Sequence, residues 1–137
     1  MTSFDVIAIG RVESSLTDLA SAPRQPDEGA PDAWLVFDAG VADALSHVTA
    51  GTEAILLTWL DRARRDVLTV HPRGDTSREP EGVFSTRSPH RPNPIGLHRV
   101  TVTAVEGLRL RVSHLEAVND TPIIDLKPVL SEDPSQR

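Results

Sequence analysis

Apolar and polar positions alternate with a period of two over much of this chain, and that period predicts strands. The plainest case lies between residues 97 and 113. His98, Val100, Val102 and Ala104 fall on one side, and Arg99, Thr101 and Thr103 on the other. Glu106 and Gly107 supply a turn. Leu108, Leu110 and Val112 then alternate with Arg109, Arg111 and Ser113, which completes a hairpin. Residues 4–12 are rich in β-formers and open a first strand, and 34–37 make a short one. The continuous apolar run 53–60 reads as a buried strand. Residues 67–70 and 123–129 add two more, the last with Pro122 and Pro128 at its ends, where proline is tolerated. Only Val41, Ala44, Leu45 and Val48 recur at helical intervals, which predicts one short helix over 41–48, ended by Gly51. Residues 14–33 and 71–82 are polar and proline-containing, hence loops.

This pattern predicts an all-β fold, a small β-barrel of six or seven strands with one short helix and long proline-rich loops. The length of 137 residues fits one domain over 1–137, with 131–137 a polar, frayed tail. No cysteine is present, so disulfides and thiolate chemistry are excluded. The first ten residues lack a basic, apolar leader pattern, and the longest apolar run is too short to span a bilayer. A cytoplasmic protein with no membrane association is the expectation. The five histidines show no paired ligand spacing, so no metal site is expected.

The net charge of −6 argues against a protein that coats nucleic acid by charge alone. Its distribution changes that picture. Residues 83–115 carry Arg87, Arg91, Arg99, Arg109 and Arg111 against Glu106 alone, while both flanks are acidic. Either a solvated strand face or an anion-binding surface accounts for such a stretch.

No glycine-rich phosphate loop and no nucleophile-elbow motif occurs, so Rossmann and P-loop sites have no support. The unusual segment is 83–97. Pro89, Pro92 and Pro94 fall within six residues. Each fixes φ and drives its predecessor towards extended geometry, so the segment is expected to be a rigid loop. Arg87 and Arg91 are then held in defined directions, and a rigid loop lowers the ordering cost of binding. A stiff crossing connection with solvent-facing arginines is the plainer alternative.

Residues 82–97 read GVFSTRSPHRPNPIGL, which resembles the signature of the TrmO/TsaA-like family. Ile9 and Gly10, followed by Pro23, Arg24, Gln25 and Pro26, resemble that family's start and its PRQ loop. Residues 121–128, TPIIDLKP, resemble its TPxxDIKP block. Order and spacing of the three blocks are kept. The resemblance implies a β-barrel homodimer that holds S-adenosylmethionine near the subunit interface. It also implies methyl transfer to N6 of threonylcarbamoyladenosine at position 37 of tRNA. The cofactor contacts it implies are Pro23, Arg24, Gln25, Asp61, Arg62, Arg87, Leu97, Asn119, Asp120, Thr121 and Pro122. Two positions depart from the family pattern. Asp61 and Arg62 replace a histidine-containing pair, and Asn119 and Asp120 replace Asp-Gly. Asn tolerates left-handed geometry, so the turn is expected to survive.

Such a cofactor presents a carboxylate, which Arg87 or Arg24 can pair bidentately. Backbone groups of the 119–122 turn suit its adenine. Transfer to nitrogen releases a proton, for which Asp125 or Asp61 is the candidate acceptor; a structural pairing of Asp125 with Lys127 is the alternative. A small-molecule methyltransferase and a non-catalytic cofactor-binding module are the competing readings.

Overall fold

The computed structural model describes residues 1–18 and 29–130. Eight strands follow in chain order: β1 (Gly10–Glu13), β2 (Ala33–Phe37), β3 (Glu53–Trp59), β4 (Thr69–Val70), β5 (Glu81–Gly82), β6 (Ile95–Glu106), β7 (Arg109–Val112) and β8 (Pro122–Pro128). Six of them close into a barrel in the order β1-β2-β7-β6-β3-β8, with every neighbouring pair antiparallel. The remaining two, β4 and β5, form a separate two-stranded ribbon.

The period-two pattern explains the core. Val12, Leu35, Leu56, Val100, Val102, Leu110, Val112 and Ile123 all point inward and are buried, and Leu115 joins them from the loop after β7. Each such side chain contributes about 1.5–3 kcal/mol through burial. The β6–β7 hairpin turns at Gly107, whose φ of 60° demands glycine-like freedom. A register shift between Val102 and Ala104 bends β6 within the ring.

Four expectations need correction. The first strand begins at Gly10 rather than residue 4, and residues 1–8 lie exposed outside the barrel. The helix is a 3₁₀ segment, Ala39–Leu45, broken by non-helical geometry at Val41. Seven residues with no buried member cannot hold an α-helix against propensity alone. Residues 83–97 are not one loop: Val83–Ser85 is a 3₁₀ turn, and Ile95 already enters β6. The 71–82 loop contains a 3₁₀ turn, Pro72–Gly74, and β5. The expected tail 131–137 lies outside the described residues.

Candidate functional site

One end of the barrel, where β3 ends and β6 and β8 begin, gathers the proline segment, the turn after β3 and the 119–122 turn. The proline segment is latched to the chain leaving β3 by a run of hydrogen bonds. Leu60 N donates to Pro94 O at 2.8 Å and Arg91 N to Arg64 O at 3.1 Å. Arg64 N donates to His90 Nδ1 at 3.0 Å. The Arg65 guanidinium reaches Pro92 O at 2.7 Å and Asn93 Oδ1 at 3.0 Å, and stacks over Trp59 with its carbon 5.1 Å from the ring centre. Arg64 itself pairs with Asp66 at 2.8 Å, and this hydrogen bond holds the Asp66 carboxyl below its ordinary range.

Arg91 is a structural arginine. Its guanidinium donates to the carbonyls of Val83, Thr86 and Ser88 at 2.9–3.2 Å, knitting the start of the proline segment together. Arg109 pairs with Glu13 at 2.8 Å and Arg111 with Asp32 at 3.8 Å, and both lie over Trp34. Arg99 meets Glu53 at 3.3 Å. Four of the five arginines of the positive stretch are thus spent on partners, which is the solvated-face alternative. Arg87 differs. It is exposed on the proline segment and has no hydrogen-bonding or ion-pair partner among the described residues.

Two further stretches meet across residues 14–18. Arg62 Nη1 donates to Thr17 O at 3.2 Å from the turn after β3, where Asp61 is exposed. From the other side Asn119 N donates to Leu16 O at 2.6 Å, and Asn119 Oδ1 accepts from Ser14 N at 3.0 Å. Residues 14–18 lead directly into the segment that carries Pro23, Arg24 and Gln25, which lie outside the described residues. In the 119–122 turn the left-handed residue is not the asparagine. Asp120, not Asn119, takes the left-handed conformation, with φ of 67°. Its N–H donates to Val12 O at 2.7 Å, and Thr121 is buried with its hydroxyl on Val118 O at 2.7 Å. Pro122 begins β8 opposite Arg11.

Leu97 sits on the outer face of β6 directly across from Leu57, and is 50% exposed; Ile95 on the same face is 46% exposed. Asp125 lies within β8 rather than on a loop. Its carboxylate is 3.3 Å from Lys127 Nζ and also accepts from Leu126 N at 2.8 Å. It lines a cavity of about 360 Å³ beneath the 3₁₀ segment, which none of the other predicted residues lines.

A polar network inside the barrel wall was not foreseen. His98 Nδ1 lies 2.5 Å from Glu116 Oε1, and His98 Nε2 lies 2.8 Å from Thr58 Oγ1. An ionised carboxylate only accepts, so in that form Nδ1 is the donor to Glu116, and a neutral ring then accepts a hydrogen bond from the Thr58 hydroxyl at Nε2. The alternation already put His98 on the inward face, which was the available signal. Its partners come from β3 and from the loop before Asn119, and periodicity does not reveal them. Gly96 leaves the room: a Cβ there would lie 2.3 Å from Thr58 Oγ1 and 2.7 Å from His98 Nε2. The network therefore ties together the three chain segments that carry Asp61, Leu97 and Asn119.

The sequence matches the model of the tRNA-methyltransferase O N-terminal domain over residues 11–133. The chain belongs to the tRNA-methyltransferase O N-terminal domain family. An S-adenosyl-L-methionine-binding protein of Archaeoglobus fulgidus is 44% identical over 120 residues, covering 87% of this chain and 84% of that relative. The human tRNA (adenine(37)-N6)-methyltransferase is 30% identical over 136 residues, covering 90% of this chain and 30% of its own length. The crystal structure of TrmO from Pseudomonas aeruginosa superposes with a TM-score of 0.76 at 28% identity, over 98% of this chain and 59% of that one. The chain spans about a third of the length of the longer curated relatives it matches. Family membership fits the closed six-strand ring. Among the described residues no helix is long and apolar enough to cross a membrane, and no group of three or more metal-ligating side chains is gathered.

Proposed function

We propose that this domain binds S-adenosylmethionine at the latched end of the barrel and transfers its methyl group to N6 of adenosine 37 in tRNA, in the cytoplasm. The threonylcarbamoyl form of that adenosine is the acceptor that the family resemblance implies. Relatives named as S-adenosyl-L-methionine-binding proteins and as tRNA (adenine(37)-N6)-methyltransferases support this reading. The observation that carries it is Arg87, a cation without a partner among the described residues, on a segment stiffened by Pro89, Pro92 and Pro94 and pinned by Arg65 and Arg91. A carboxylate fits it through charge-assisted hydrogen bonds. The backbone of the 119–122 turn, fixed through Asn119 and Asp120, suits an adenine edge.

When bound, the sulfonium supplies an electrophilic methyl group. The chain's own part is positioning, because an in-line displacement depends on holding the two reactants aligned. Arg87 anchors one end, the 119–122 turn the other, and the apolar outer face at Leu97 and Ile95 excludes water. Asp61, carried on the turn after β3, is the carboxylate assigned to accept the acceptor's proton in this reading. Ile95 and Leu97 also form the apolar face expected of a homodimer whose interface borders the cofactor.

Calorimetric titration of S-adenosylmethionine tests the assignment. Arg87→Ala is expected to weaken binding by roughly 1–3 kcal/mol. Undiminished affinity in a folded variant refutes it. Tritium transfer from labelled cofactor into total tRNA supports the tRNA acceptor, whereas label entering only a metabolite extract favours a small-molecule acceptor.

A further inference from the structure

The barrel is sealed unevenly, and the chain carries an unused apolar strand beside the gap. β1 meets β8 only at Gly10 opposite Ile123 and Arg11 opposite Pro122, with Ile9 N donating to Ile123 O at 2.9 Å. β8 runs on to Pro128 with no strand among the described residues on that edge. There Leu126 N–H is satisfied by the Asp125 carboxylate, one residue away, rather than by a neighbouring strand. Behind this edge lies the cavity of about 360 Å³, walled by Ile9 and Phe37 on one side, Ala54 and Leu126 on the other, and Val41 and Leu45 above. An open strand edge over an apolar cavity is a site for strand addition.

The segment before the barrel has the matching chemistry. Residues 4–9 read FDVIAI, a β-forming run. Phe4 is 86% exposed, Val6 59% and Ile7 76%. Three large apolar side chains on one exposed arm are a liability unless something covers them. Residues 4–8 make no strand pairing with the described residues of their own chain. Ile9 N and Ile9 O are both spent, on Ile123 O and Asp38 N, and the backbone leaves the ring at that point.

We propose that residues 4–8 of one copy add as a strand to the free β8 edge of a second copy, reciprocally, and seat apolar side chains in its seam cavity. The inference rests on the dimeric state of the proposed function and adds to the Ile95 and Leu97 face a second contact at the other end of the barrel, naming the segment exchanged and the groove that receives it. Exchange of identical elements keeps the contacts that the element would make in its own chain. Continuing the β1–β8 register therefore sets the partner's Ile7 beside Leu126 and the partner's Val6 beside Lys127. The contact is isologous and closes at two copies.

The chain has no cysteine, so introduced thiols report cleanly. Val6→Cys and Lys127→Cys are made separately, mixed and oxidised, and both sites are on exposed side chains. The expected result is a covalent heterodimer in the mixture that neither variant forms alone to the same extent. The double variant Val6→Cys with Lys127→Cys is oxidised in parallel. An internal link without covalent dimers overturns the proposal, because the arm then closes its own seam. Absence of any link overturns it as well. Phe4→Ser with Val6→Ser is expected to shift the sedimenting species from two chains to one. If these variants stay dimeric while Leu97→Asp dissociates, the exchanged arm is overturned but the homodimer stands. S-adenosylmethionine titration of the arm variants separates the cofactor reading from both.

Discussion

The two ends of this barrel solve the same packing problem differently. At the end that carries Asp61, Arg87 and Asn119, almost every loop is held by polar bonds: Arg65 and Arg91 grip carbonyls, Asn119 grips residues 14–16, and His98 joins Glu116 and Thr58 inside the wall. At the seam end, β1 and β8 share two residue pairs, and an apolar cavity remains under a kinked 3₁₀ segment. Hydrogen bonds are directional and fix loops to fractions of an ångström, whereas apolar contact tolerates slippage. The difference separates a place suited to holding a ligand still from a place suited to accepting an added strand.

Breaking the buried network should have the largest effect. His98→Ala removes the partner of Glu116, whose Oε2 already lacks a buried partner among the described residues, and leaves the Thr58 hydroxyl unpaired. An uncompensated buried carboxylate costs about 3 kcal/mol or more. Urea unfolding should show that loss, and S-adenosylmethionine affinity should fall with it, because Leu97 and the loop before Asn119 lose their shared brace. A stability change under about 1 kcal/mol would mean that the wall does not depend on the network.

The barrel was legible from the alternation, because one face of each long strand is buried and the period is then forced. Residues 100, 102, 110 and 112 all fell where the pattern set them. The arm departs from its pattern for the same reason: FDVIAI has strand chemistry, but a strand needs a neighbour, and the described residues of one chain supply none. The family was legible through motif, not periodicity. Sequence could not show that Arg91 is consumed by three carbonyls while Arg87 is not, since both stand in one proline-rich run. Nor could it show that Asp120 rather than Asn119 adopts positive φ, which the hydrogen bonds to Val12 and Ser14 decide together.

A milder test on the same end is Asn119→Ala. Asn119 Oδ1 accepts a single hydrogen bond from Ser14 N, while its backbone N–H to Leu16 survives the substitution. Loss of one part-buried hydrogen bond costs about 1 kcal/mol. Thermal unfolding should register that decrement. Stability at the wild-type level would show that residues 14–18 are held by their backbone contacts and Arg62 alone.

The smallest effect is expected at the seam end, from Asp125→Asn. The carboxylate is about half exposed, and its partner Lys127 is more so. An exposed pair of this kind is worth about 0–1 kcal/mol, and the asparagine side-chain oxygen can still accept from Leu126 N. Chemistry gives the sharper reading. If Asp125 took the proton from the acceptor nitrogen, its replacement would slow methyl transfer by about 10²–10⁴-fold with cofactor binding intact. Its place on the wall of a cavity that neither Arg62 nor Asn119 lines argues that the transfer rate will be unchanged. A single-turnover measurement with labelled cofactor decides it. A collapse in rate would put the chemistry at the seam, and the two ends would no longer divide ligand holding from chain docking.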